Sequence, residues 1–306
     1  MAKITPASDN NLAQGYDETI QVIKLASGVT DTTLANVCGL FEVTAQGQPV
    51  PQTWAVGADG KMVKSNVLTG STIGSFTYDS IVSNQEYHFV IGSDVNDNQF
   101  SSFMGKLCHS SANKISENST LDLSKATSLD GLTWPSISTG AWLQKFDTVI
   151  IGPNFNTNWY NSLNIHYVFL KVKNIVAPSN CANFSSDNGI LFNKDKTKIV
   201  FYPGGSVREE DSYTIPSSVT EIAPYTFYWA TGDDTGLMAI TIRANVKKIG
   251  KYAFPTLARF TSSGTLTFND PNGWHIGTTS GTAIASANLT AAYYKANLET
   301  STLVKE

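Results

Sequence analysis

His88, His109, His166 and His275 are the first residues to weigh for chemistry in this 306-residue chain. None has a second histidine or a glutamate at a metal-ligand spacing such as H-E-x-x-H, which sets two imidazoles on one helix face. Cys108-His109 is the one sequence-adjacent thiol and imidazole. Neighbouring side chains on a strand face opposite ways, which separates a nucleophile from its base. Gly57-Ala58-Asp59-Gly60-Lys61 and Gly70-Ser71-Thr72-Ile73-Gly74 lack the spacing of a phosphate loop or a nucleophile elbow. Asp94-Val95-Asn96-Asp97-Asn98 begins like a calcium loop, then fails, with Gln99 where the sharp turn needs glycine and Gly105 where a bidentate glutamate belongs. It reads as a polar turn. Asn193-Lys194-Asp195-Lys196-Thr197-Lys198 is basic, but alternation sets it on a solvated hairpin. No catalytic residue, metal ligand or cofactor is expected.

Composition narrows the class further. Charged residues make up 15% of the chain, and nearly three residues in ten are Ser, Thr or Asn. That mix suits strands and polar turns with an uncharged exterior rich in hydroxyls and amides. A formal net charge of -4 gives no basic footprint for nucleic acid. Cys38, Cys108 and Cys181 are too few and too scattered for a disulfide framework; they read as small buried apolar residues, with one bridge still open to them. No run reaches the ~18 apolar residues of a membrane span. Met1 to Pro6 lacks the apolar stretch of a secretion signal. That start suits a chain that does not use the export route, or one whose signal has been removed.

The elements that position these residues show themselves through a repeat. Ile215, Val219, Ile222, Tyr225 and Phe227 recur at the same offset as Ile242, Val246, Ile249, Tyr252 and Phe254, 27 residues on. A unit of this length cannot bury its own apolar face, so the pattern predicts a solenoid in which each coil covers the next. Apolar-x-apolar strands at Leu121-Asp122-Leu123, Val149-Ile150-Ile151, Ile175-Val176-Ala177, Thr214-Ile215, Ile240-Thr241-Ile242 and Leu266-Thr267-Phe268 extend it. The steps between them are regular except for one of 38 residues, from Ala177 to Ile215, which contains two apolar runs around an Asn-Lys-Asp-Lys turn. A hairpin insert over 189–202 is expected there.

Thr214-Ile215-Pro216-Ser217-Ser218-Val219-Thr220-Glu221-Ile222, followed by Tyr225 and Phe227, resembles the BspA-type leucine-rich repeat, whose unit runs from an I-P-x-x-V strand to an A-F turn. Ala253-Phe254 matches that turn and Thr226-Phe227 departs from it by one small residue. The hairpin at Asn188 to Asp195 and the terminal Phe268-Asn269-Asp270-Pro271-Asn272-Gly273-Trp274 are similar to features of the same family. The resemblance spans about residues 119–277, with Gly152 and Asn154 replacing proline and serine in an early coil. It implies a surface adhesion or recognition protein that binds other proteins.

The fold expected is mainly β: a small sandwich- or barrel-like domain over 1–110, a solenoid with a parallel sheet over 111–284, and a capping segment over 285–306. Strands are read at 20–25, 40–44, 52–56, 61–64 and 87–91, with Asp59-Gly60 as a hairpin turn and the Ser- and Asn-rich 92–118 as a linker. Leu289, Tyr293, Tyr294 and Leu298 have the helical spacing to close the last coil. Trp142, Trp159 and Trp229 read as core or cap.

Function then falls to the surface. The middle residue of each apolar-x-apolar strand points outward, giving a ladder of Asp122, Ile150, Val176, Thr214, Thr241 and Thr267 at about 4.8 Å per coil. The reading is non-enzymatic recognition or adhesion through this ladder, at a cell surface, with a protein partner or neighbouring subunits. The alternative is a structural or host-attachment component on a virion exterior.

Overall fold

A computed structural model describes residues 13–17, 22–25, 41–43, 49–51, 53–56, 61–75, 87–109, 118–126, 142–143, 146–153, 155, 160, 172–204, 212–228, 230, 237–255 and 263–306. The protein is mainly β, built around a parallel-sheet solenoid with few helices. Thr53–Val56 and Lys61–Leu68 pair antiparallel, as do Ala13–Asp17 with Val22–Leu25 and Phe41–Val43 with Pro49–Pro51. The Asp59-Gly60 turn itself lies outside the described residues.

The first sheet does not stop at residue 110. Lys61–Leu68, His88–Ile91, Thr120–Asp122, Thr148–Ile150 and Asn174–Val176 run parallel in one ladder. The ladder therefore crosses the stretch read as a linker, which holds the helix Asp97–Leu107. The failed calcium loop is the start of that helix. Asn96 Oδ1 accepts from the Gln99 backbone N–H, and Gln99 Oε1 accepts from the Asn96 N–H, each at 3.0 Å. This is a reciprocal capping box, and Gln99 is its third helical residue. Phe100, Phe103 and Met104 turn one face of the helix into the core beside Phe89.

A second sheet carries the later coils, with Lys198–Phe201, Glu221–Ile222 and Lys248–Ile249 in parallel. One backbone device recurs in both sheets. Asp147 and Thr148 N–H both donate to Ser119 O, and Lys173 and Asn174 N–H to Asp147 O. Thr220 and Glu221 N–H converge on Thr197 O, and Lys247 and Lys248 N–H on Thr220 O. The shared device aligns Leu121, Val149 and Ile175 with Ile199, Ile222 and Ile249, all fully buried.

That alignment corrects the single series of strands expected from sequence. Ser212–Thr214, Ala239–Ile242 and Thr265–Phe268 form a separate three-stranded parallel sheet, the other wall of the same late coils. The irregular 38-residue step is thus a change of wall.

Between the early and late coils, Phe184–Asp187, Ile190–Asn193 and Lys198–Phe201 form an antiparallel meander. Its Asp187-Asn188-Gly189-Ile190 turn places Asn188 and Gly189 at φ 48° and 76°, a pair of left-handed residues suited to a two-residue hairpin. Leu191, Val200 and Phe201 join the early core, while Ile190, Phe192 and Ile199 join the late one. Val200 is an extra residue in the register, a bulge. Thr226, buried where the next repeat has Ala253, donates to Ala223 O at 2.8 Å and lies 3.3 Å from Val200 O. The departure from the A-F turn therefore ties the coil to the bulged strand.

The late core stacks by repeat position. Phe227 lies over Phe254 at 6.2 Å, and Tyr225 over Tyr252 at 5.3 Å, both nearly coplanar in tilt. Tyr225 and Tyr252 share a left-handed backbone, φ 60° and 54°, which is costly for aromatic residues and marks the tight turn of each coil. Gly250, one coil beyond Ala223, has no room for a side chain, since a Cβ there would meet Pro224 N at 2.4 Å.

Residues 285–306 close the stack. Thr290 caps a short helical segment, Ala291–Tyr293 continuing through Tyr294–Leu298. Leu289, Tyr294 and Leu298 are buried, Tyr293 is partly so, and Tyr294 packs on Phe254 at 4.9 Å. Burial pushes the Tyr294 hydroxyl well above the ordinary phenol range. Leu303–Lys305 then inserts antiparallel between Lys248–Ile249 and Trp274–Ile276.

Two stability measurements follow. Phe254→Ala should cost about 3–5 kcal/mol in denaturant unfolding, as large aromatic truncations in a packed core do. Thr226→Val, which keeps volume and deletes the hydroxyl, should cost about 1–3 kcal/mol, and Thr226→Ser less, because the buried carbonyls keep their donor.

Candidate interaction surfaces

The six ladder residues fall into two rows on two sheets. Asp122, Ile150 and Val176 are mutually in register on the first sheet. Thr214, Thr241 and Thr267 are in register on the three-stranded sheet. No strand pairing joins Val176 to Thr214, so the continuous row of six expected from sequence is replaced by two rows of three.

Each row is larger than its predicted members. On the first sheet, Val67 pairs with Val90 and Val90 with Asp122, which gives Val67, Val90, Asp122, Ile150 and Val176 in order. Val67 and Val176, at 37% and 39% exposure, are the exposed large hydrophobics among the described residues. On the three-stranded sheet, Ser212, Ala239 and Thr265 lie in register two residues before the threonines and so share their face. Ser212, Thr214, Thr265 and Thr267 are exposed, while Ala239 and Thr241 are partly covered. The i, i+2 alternation was available in the sequence for this second trio. Val67 and Val90 enter the row through parallel pairing of strands distant in sequence, which no local pattern marks.

Asp122 is the one charge in the first row. Burial alone would raise its carboxyl, but His88 Nε2 at 3.3 Å and the Ser124 backbone N–H at 2.8 Å, with the Ser124 hydroxyl, more than offset it and hold the pKa below 3.8. His88 is 6% exposed and sits beside Thr120 in the neighbouring row. The pair joins two adjacent strands.

The other chemistry-bearing residues are dispersed. His275 Nδ1 faces Gly281 O and its Nε2 faces Glu306 Oε1, each at 3.1 Å, within the cap. His109 belongs to the Cys108–His109 strand, which pairs with Trp142–Leu143. Cys181 is free and buried. Cys38, His166, Trp159 and Trp229 lie outside the described residues. Among the described residues, no three His, Cys, Asp or Glu side chains are grouped to hold a metal ion.

The lysines of the hairpin are engaged locally. Lys194 Nζ donates to Ser179 O and Cys181 O, and Lys196 pairs with Asp187 at 2.8 Å. Lys198 pairs with Glu221 at 3.1 Å; burial pulls its pKa down, but the carboxylate raises it further.

The lowered Asp122 pKa makes a directional prediction. Its stabilising contribution is complete above the unfolded-state pKa and is lost as pH falls through the folded-state value. The stability advantage of wild type over Asp122→Asn, followed by chemical denaturation from about pH 6 to about pH 2, should therefore shrink toward the acid end.

No protein-family model matches the chain, and no curated protein matches it. Solved structures with likeness to it include a leucine-rich cell surface protein from Faecalibacterium prausnitzii, with 14% identity over 76% of this chain and 74% of that one, at a TM-score of 0.34. A leucine-rich repeat protein from Eubacterium ventriosum gives 17% identity over 74% and 71%, at a TM-score of 0.31. The pneumococcal vaccine antigen PcpA gives 17% identity and a TM-score of 0.31; 60% of this chain aligns with about half of that protein, 52%. Two of these neighbours are described as leucine-rich proteins, and one of the two as a protein of the cell surface.

Proposed function

We propose that this chain is a non-enzymatic recognition protein that binds a protein partner across the outward rows of its solenoid, at a cell surface. The observation that carries the reading is the face made by Ser212, Thr214, Ala239, Thr241, Thr265 and Thr267. It is in register over three strands and contains no charge. Such a face sheds water without stripping ionised groups, and desolvating an unpaired charge is costly in an interface. Its β-branched threonines are held by strand backbone and lose little rotamer freedom when covered. Repeat proteins use extended surfaces of this kind for partner contacts.

Val67, Ile150 and Val176 give the first sheet an outward row that is apolar except at Asp122, whose carboxylate is held by His88 and Ser124. It supplies a second contact strip for the same class of partner. The sequence resemblance to the BspA-type repeat points to the same role.

The test combines location and substitution. Antibody labelling of intact cells should place the chain on the outside. In a binding assay with the protein captured by wild type on intact cells, Thr241→Lys with Thr267→Lys should weaken binding about tenfold or more at unchanged melting temperature. Lys196→Ala, on the hairpin, should leave it unchanged. Equal binding by the double lysine variant and wild type would remove the three-stranded face from the interface, and recovery of the chain only in purified virions would replace the cell-surface location.

A further inference from the structure

The two walls of the last coil end differently. On one wall, Trp274–Ile276 is covered on its far side, with Ile276 N–H donating to Thr282 O at 2.9 Å and Ile284 N–H to Trp274 O at 2.8 Å. On the other wall, Thr265–Phe268 is the outermost strand of the three-stranded sheet.

Its hydrogen bonds fix which groups point outward. Thr265 N–H donates to Met238 O at 2.8 Å, and Asn269 N–H to Ile242 O at 2.9 Å. Thr265, Thr267 and Asn269 therefore turn their backbone toward the preceding coil, and Leu266 and Phe268 turn theirs away. The Leu266 and Phe268 amides and carbonyls have no strand partner among the described residues.

We infer that this edge is a strand-addition site for an extended segment of a partner polypeptide. Alternating N–H and C=O groups at strand spacing are the complement of another peptide backbone. The neighbouring wall limits the occupant to a single strand, because residues 282–284 already fill the next level and a whole folded coil cannot stack there. A second copy of this chain docking by its Ser212–Thr214 edge would bring its own Lys198–Phe201 and Glu221–Ile222 strands to the levels already held by Leu303–Lys305 and Trp274–Ile276, so self-stacking is excluded on the same ground.

The side chains define the incoming sequence. Leu266 faces the core, and Phe268, half-buried, packs edge-on to Trp274 at 5.4 Å. Thr265 and Thr267 face solvent. The added strand has apolar residues beside Leu266 and Phe268 and small hydroxyl or β-branched residues beside the threonines, without charge on either. This site is an edge and does not depend on the sheet face proposed above as the recognition surface.

The test uses the full chain and a labelled peptide, Gly-Thr-Leu-Thr-Phe-Asn, which copies residues 264–269. In the free protein the Leu266 and Phe268 amides should exchange rapidly with solvent, and saturating peptide should slow both by about tenfold or more. Two further peptides, N-methylated at alternate residues in one phase or the other, leave the protein untouched. One phase should abolish binding and the other should bind like the parent. Absence of protection at Leu266 and Phe268, protection of Ser212 and Thr214 instead, or equal binding by both N-methylated peptides would overturn the assignment. Face variants such as Thr241→Lys should leave peptide binding intact, so either proposal can fail without the other.

Discussion

Every coil of this protein has an apolar interior that it cannot close by itself. Ile222 is covered only because Ile199 lies on one side and Ile249 on the other, and the same holds for Val149 between Leu121 and Ile175. Register is therefore the controlling variable, since a slip of one residue would turn the whole apolar set outward. The carbonyls of Ser119, Asp147, Thr197 and Thr220, each receiving two N–H groups from the next coil, hold that register at the entrance of the strand. Tertiary packing then fixes the rest, through Phe227 on Phe254 and Tyr225 on Tyr252.

Much of this was legible in the sequence, and the limits have physical causes. The 27-residue offset named the buried positions correctly at Ile215, Ile222, Phe227, Ile242, Ile249 and Phe254, because equivalent interior sites demand equivalent side chains. Apolar alternation also told which way a side chain points. It did not tell which wall a strand belongs to, because both walls use the same period of two. That is why the strands of Leu121, Val149 and Ile175 read as one series with the strand of Ile215, when their structural counterparts are the strands of Ile199, Ile222 and Ile249. The pairing of His88–Ile91 with Thr120–Asp122 was similarly invisible, since parallel partners are distant in sequence and no local pattern marks them. Asp94 to Gln99 shows the opposite case: the residue that ruled out a calcium loop was the same one that defines a capping box.

The candidate surfaces were half legible for related reasons. Thr214, Thr241 and Thr267 were found because outward residues at repeat spacing must align when the coils do. Their companions, Ser212, Ala239 and Thr265, follow from the same period of two, one step further back along each strand. The cost of presenting such a face is low for the fold. Threonine favours the strand backbone whether or not anything binds it, so stability and recognition place the same residue at the same position.

The meander at Phe184–Phe201 lends one face to each of two cores. In a linear array, cooperativity passes only between nearest neighbours, and a shared layer is where it passes or breaks. The meander is thus a coupling joint between two melting units. The early coils, with their irregular sequence, meet the regular late coils through seven side chains of this layer: Phe184, Leu191, Val200 and Phe201 on one side, Ile190, Phe192 and Ile199 on the other. Divergence in the early repeats is tolerable for as long as that joint keeps both faces apolar.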